Sequence, residues 1–101
     1  MAMLHTVNKS PFERNSFDSC LGHAKTGSSL LLIEDGIYAV VMGSAAAGKI
    51  QEASGISVYA LGPDLKARGI GEDQIIEGVT VVDYGGFVDL VTRHDNVQSW
   101  L

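Results

Sequence analysis

The chain is poor in cysteine, proline and charge, and each shortage closes off a class of function. Of 101 residues, one is cysteine, Cys20, and two are proline, Pro11 and Pro63. A single thiol forms no internal disulfide and no Cys-x-x-Cys zinc knuckle. Charged residues make up 19% of the chain against 46% apolar, the balance of a globular domain rather than a disordered segment. No apolar run approaches the roughly 18 residues of a membrane-spanning helix, so no membrane partner is expected. The opening Met-Ala-Met-Leu-His has no basic region followed by a long apolar stretch, so no signal peptide is expected. Together the lack of a span, of a signal peptide and of a disulfide points to the cytoplasm.

Basic charge is scarce too. Seven Lys and Arg face twelve Asp and Glu, a net charge of -5. Up to Ile50 the charges cancel, Lys9, Arg14, Lys25 and Lys49 against Glu13, Asp18, Glu34 and Asp35. The whole excess therefore lies beyond Ile50. A phosphate backbone is repelled by that half, and no basic stripe or stacking-aromatic motif offsets it. Direct contact with nucleic acid is not expected.

What is present reads as one domain, residues 1–101, of alternating strands and helices. Leu4 to Val7 is a β-branched, apolar segment and predicts a first strand. Pro11 suits a first helical turn, and Phe17, Cys20, Leu21 and Ala24 follow at the i, i+3, i+4, i+7 spacing of one buried helical face. Ser29 to Ile33 is an uninterrupted apolar run, as a strand covered on both faces requires. Asp35 is placed to cap a helix over Ile37 to Met42. Ala45 to Ala47 favours a helix kept short by Gly43 and Gly48. Ile56 to Leu61 predicts the third strand, Leu65 to Arg68 a short helix after Gly62-Pro63-Asp64, and Ile70 to Gly78 a loop or single turn. Val79 to Val82 is the fourth strand. Asp83 then caps a helix from Tyr84 to Arg93 whose inner face is Phe87, Leu90 and Val91, with Arg93 and His94 complementing the negative end of its dipole. Val97 to Leu101 is a tail. Strands alternating with helices imply right-handed crossovers and a three-layer α/β/α arrangement around a mostly parallel sheet of four to five strands. So narrow a sheet leaves edges and helix faces for a partner subunit to cover.

Cys20 is the one strong nucleophile. Sulfur transfer by persulfide needs a thiol that ionises, attacks a sulfane sulfur and hands it on. His23, one turn later, is placed to support the thiolate if protonated. Against this, Cys20 lies near a helix C-terminus, where the dipole disfavours a thiolate, and it belongs to the apolar stripe, where a free cysteine packs as a small hydrophobe. Both readings stand. His5, His23 and His94 lack zincin spacing, and Cys20-Leu21-Gly22-His23 offers two ligands where structural zinc needs four, so no metal is expected. His5 suits packing within a strand and His94 a helix end. Gly43 to Lys49 has the glycine spacing and lysine of a phosphate loop, but Ile50 stands where the magnesium-binding hydroxyl should be, so no nucleotide or other cofactor is expected. Asp35, Asp64 and Asp83 follow or trail strands, and each is better explained as a cap or turn residue than as a catalytic carboxylate.

Several segments together resemble the DsrH/TusB family of small sulfur-relay subunits: Met3 to Pro11, Leu30 to Gly36, Val58 to Leu61, Asp64 to Gly69, Val82-Asp83-Tyr84 and the closing Trp100-Leu101. The cysteine makes the chain look more like DsrH of sulfur-oxidising bacteria than like TusB of the tRNA-thiolation pathway. The resemblance implies a DsrE-like α/β fold and assembly with DsrE-like and DsrF-like (or TusD and TusC) subunits into an α2β2γ2 heterohexamer. Such a complex passes persulfide sulfur toward a small acceptor, DsrC or TusE. It implies a main catalytic cysteine on the DsrE/TusD subunit, with Cys20 a candidate secondary carrier. Three functions follow as alternatives: a relay subunit of sulfur oxidation, a purely structural subunit of the same complex, or a subunit serving tRNA wobble-uridine 2-thiolation.

Overall fold

The run Ser29–Leu32 forms strand β2, and all four of its residues are buried, as a strand at the centre of a parallel sheet must be. The computed structural model describes residues 3–13 and 15–100; Arg14 of the charge-balanced half and Leu101 of the closing pair lie outside them. Among the described residues five strands make one sheet in the order β4-β3-β2-β1-β5, with β1 at Met3–Val7, β3 at Ser57–Leu61, β4 at Val79–Val82 and β5 at Asn96–Trp100. Every ladder is parallel. His5, Leu30, Val58 and Val79 stand level across β1, β2, β3 and β4 and share one face of the sheet.

Crossover handedness decides where the helices go. The steps from β1 to β2, β3 and β4 all move the same way across the sheet, so right-handed connections place their helices on one side. The step from β4 to β5 runs back across the whole sheet to the far edge, so its helix must cover the other side. The packing follows this rule. Helix α1 (Ser16–His23), helix α2 (Ala45–Glu52), helix α3 (Gly62–Ala67) and a 3-10 helix over Glu34–Val40 join the main core, built on Val7, Phe17, Cys20, Leu30, Leu32, Ile37, Ala47 and Leu65. Helix α4 (Tyr84–Arg93) covers the opposite face around Leu4, Leu31 and Leu90. The expected three-layer α/β/α architecture is thus present, with one thick layer and one thin one.

Several local expectations shift. Pro11 does not open α1; it lies in a turn, and the helix begins at Ser16. Asp35 caps no helix. The backbone from Glu34 winds as a 3-10 helix without a side-chain cap, and Asp35 instead holds the Nε–H of Arg68 at 2.9 Å. The turn into this segment is tight: Glu34 takes φ 49° and donates its N–H to Asp64 Oδ2 at 2.6 Å. Gly36 is forced by the same approach, because a Cβ there would collide with the backbone carbonyl of Val7. Helix α2 is longer than expected and runs through Gly48. Ser44 caps it, accepting from Ala47 N–H at 3.1 Å, and burial of Ala46, Ala47 and Ile50 offsets the roughly 1 kcal/mol a mid-helix glycine costs. Asp83 does cap α4, accepting from Gly86 N–H at 2.8 Å. Of the expected inner face Leu90 is buried and Phe87 packs beside it, but Val91 is exposed. The largest departure is the tail, which forms the edge strand β5 beside β1.

Candidate functional site

Helix α1 carries both residues singled out for sulfur chemistry, and it separates them. Its apolar stripe lies on the sheet, with Phe17 and Cys20 buried and Leu21 packed against the same core. Cys20 has no exposed surface. Burial pushes its thiol up to about 12, because a thiolate in apolar surroundings loses its hydration. The last turn of a helix offers no positive dipole end to compensate. At neutral pH Cys20 is a protonated thiol.

His23 turns away from that core. Its Nδ1–H donates to the carbonyl of Ser19 at 2.7 Å, one turn back, and its ring lies 5.5 Å from the Trp100 ring, centroid to centroid. Trp100 also faces His5, with ring centroids 6.1 Å apart, and its indole Nε1–H donates to His5 Nδ1 at 3.0 Å. The structure therefore joins His23 to His5 through Trp100 rather than to Cys20. His5 is buried, and its pKa is lowered by desolvation first and by repulsion from His23 second. The cluster is not visible in the sequence because it depends on β5: only once the tail pairs with β1, placing Val7 level with Trp100, do His5 and Trp100 meet.

The remaining candidates have structural partners. His94 donates Nδ1–H to the Leu90 carbonyl at 2.6 Å, closing α4, and its Nε2 is 2.8 Å from Ser29 Oγ, tying that helix to β2. Asp64 lies 4.0 Å from Arg68, which also binds Asp35. Lys49, the lysine of the near-miss phosphate loop, pairs with Asp18 at 2.6 Å and links α2 to α1. Among the described residues no three of His, Cys, Asp and Glu gather as metal ligands do, and no helix is long and apolar enough to cross a membrane.

With this geometry in hand, comparisons place the chain among known proteins. Its fold is similar to that of the ychN protein from E. coli, with a TM-score of 0.79 over 98% of both chains at 15% identity. It is also similar to a protein of unknown function from Methanobacterium thermoautotrophicum, with a TM-score of 0.73 over 96% of this chain and 97% of that one at 18% identity. Sequence relatives reach further. The protein named TusB of Pectobacterium parmentieri is 36% identical over 98 residues, covering 97% of this chain and all of that protein. Those of Shigella flexneri and Escherichia coli K12 are 38% identical over the same coverage. The family model described as DsrH-like protein matches residues 9–97. Matched along nearly its whole length, the chain belongs to the DsrH/TusB family.

Proposed function

We propose that this chain is a subunit of a sulfur-relay complex, and that it shapes the assembly without carrying sulfur on its own thiol. The observation that carries this reading is the burial of Cys20. A relay thiol must meet an incoming donor as a thiolate, whereas Cys20 has no exposed surface and a pKa of about 12. A carrier role would require α1 to lift off the sheet and expose Phe17 with Cys20. His23 is engaged with Ser19 and Trp100, which argues against its acting as thiolate support.

The partners in this reading are two subunits of the DsrE and DsrF (TusD and TusC) kinds, assembled as α2β2γ2, and a small acceptor of the DsrC or TusE kind. The main catalytic cysteine is then on the DsrE/TusD-like subunit. An assembled state is supported by the outer side of the thin layer, α4. Tyr84, Val88 and Val91, at i, i+4 and i+7 on that helix, are exposed, as is Val97 of β5, which shares a sheet face with Leu4 beneath the helix. A neighbouring subunit laid there would bury apolar surface that a lone chain leaves in water. The relatives' shared name, TusB, favours service to tRNA wobble-uridine 2-thiolation in the cytoplasm over the sulfur-oxidation role. The acidic half of the chain argues that the tRNA itself is met by another protein.

The test is persulfide loading of the co-expressed complex, followed by peptide mass spectrometry. Added sulfur is expected on a sibling subunit and absent from the peptide holding Cys20. Sulfur on Cys20 in the folded complex would refute the structural reading.

A further inference from the structure

At the amino ends of β1 and β5, beside the loop that leads from α1 into β2, lies a pocket of about 390 Å³. His5, His23, Lys25, Ser28, Asn96 and Gln98 line it. The chain as a whole is acidic, yet none of the described lining residues is Asp or Glu, and three of them are His or Lys.

The hydrogen bonds fix which way His5 presents its proton. An indole N–H only donates, so His5 Nδ1 must be the bare, accepting nitrogen. The proton of the neutral ring is then on Nε2. Desolvation and the neighbouring His23 both keep this ring neutral. His5 is only 3% exposed, and its Nε2–H has no protein partner. His5 lines the pocket, and the Nε2–H left free by the bond from Trp100 is the donor its ring offers there. This arrangement selects against a metal ion, which needs a lone pair on the nitrogen that here bears hydrogen. It selects for an acceptor.

We propose that this pocket binds an oxyanion group, a phosphate or carboxylate carried by a small molecule. In it His5 Nε2–H donates a hydrogen bond from a buried, oriented ring. Lys25 supplies the charge, His23 adds to it when protonated, and the buried Ser28 and the exposed Asn96 and Gln98 offer further donors. Trp100, packed against both imidazoles, holds the donor ring in place from behind.

Ring nitrogen and carbon shifts of His5 and His23 in the full chain, followed by NMR at constant ionic strength, read the site directly. Separate titrations would use sodium phosphate, sodium acetate and sodium chloride. Saturable movement of both rings with phosphate or with acetate, not reproduced by chloride, is expected, and the anion that saturates identifies the group. Lys25→Gln, an exposed substitution, should weaken that binding about fivefold while leaving the fold intact. No saturation by either oxyanion up to about 50 mM, which sets a floor on affinity near 2 kcal/mol, would overturn the proposal. So would equal shifts with chloride, or undiminished binding by the Lys25→Gln chain.

Discussion

Trp100 donates its indole N–H to His5 Nδ1 across 3.0 Å, so a residue of the last strand sets the tautomer of a residue in the first. The bond also adds a side-chain tie to an edge strand that is paired on one side only. Residues 96–99 of β5 are exposed, and apart from its ladder with β1 the strand is tied by Trp100 and by the Thr6 hydroxyl, which donates to Ser99 Oγ at 3.2 Å.

Trp100→Phe keeps a ring in place but leaves the buried His5 acceptor without its donor. We expect a loss of about 1–3 kcal/mol, read from the urea midpoint by circular dichroism. Amide exchange in β5 should quicken more than in β2. An unchanged midpoint would mean that the bond contributes nothing to the edge.

His5 sets an acid limit. Burial and His23 lower its folded pKa below the ordinary 6.5, so on acidification the unfolded chain takes up a proton before the folded one does. Its contribution is fully present above pH 6.5 and is lost as the pH falls from there through the folded value. The slope of stability against pH below 6.5 should flatten in His5→Gln, as measured by urea melts across that range.

Cys20 sets an alkaline limit of the opposite sense. Its folded pKa is raised from 9.0 to about 12, so above pH 9 the unfolded thiol ionises while the folded one does not. Stability should fall between those values, and Cys20→Ala should remove that part of the fall. In the native chain at pH 8, iodoacetamide should leave Cys20 unmodified and label it only as the protein unfolds in urea.

Gly36 is the tightest backbone contact of the main core. A methyl group there meets the Val7 carbonyl, and neither side is a flexible side chain that can give way. Gly36→Ala should cost about 3 kcal/mol, at the upper end of overpacking, while Gly48→Ala, where a Cβ meets nothing within 4 Å, should stabilise α2 by about 1 kcal/mol. Paired thermal melts separate the two.

Much of this architecture was legible in the residues. Ser29 to Ile33 announced a central strand by apolar continuity, observed one residue shorter, and Asp83 announced α4 because a cap needs only its own oxygen and a nearby N–H. Helix α1 was visible through its stripe, though its start was displaced from Pro11 to Ser16. What stayed hidden depends on distant partners. Asn96 to Trp100 has no apolar run, because a strand exposed at an edge has no need of one, and its pairing is supplied by β1. Asp35 and Asp64 looked like local caps and turned out to share Arg68, some thirty residues from the first of them. The site was the hardest part. One-turn spacing put Cys20 beside His23 on paper, but a helix buries one side and exposes the next, and a single turn straddles that boundary here.

In the proposed function Cys20 is a core residue of a subunit that needs no thiol. The most direct measurement is sulfur transfer to the acceptor by the complete complex, assembled with Cys20→Ala in place of the native chain. Removing one buried sulfur atom should cost this subunit about 1 kcal/mol and leave assembly intact. Sulfur should be delivered at the native rate; a fully assembled complex that no longer delivers it would contradict a purely structural role for Cys20.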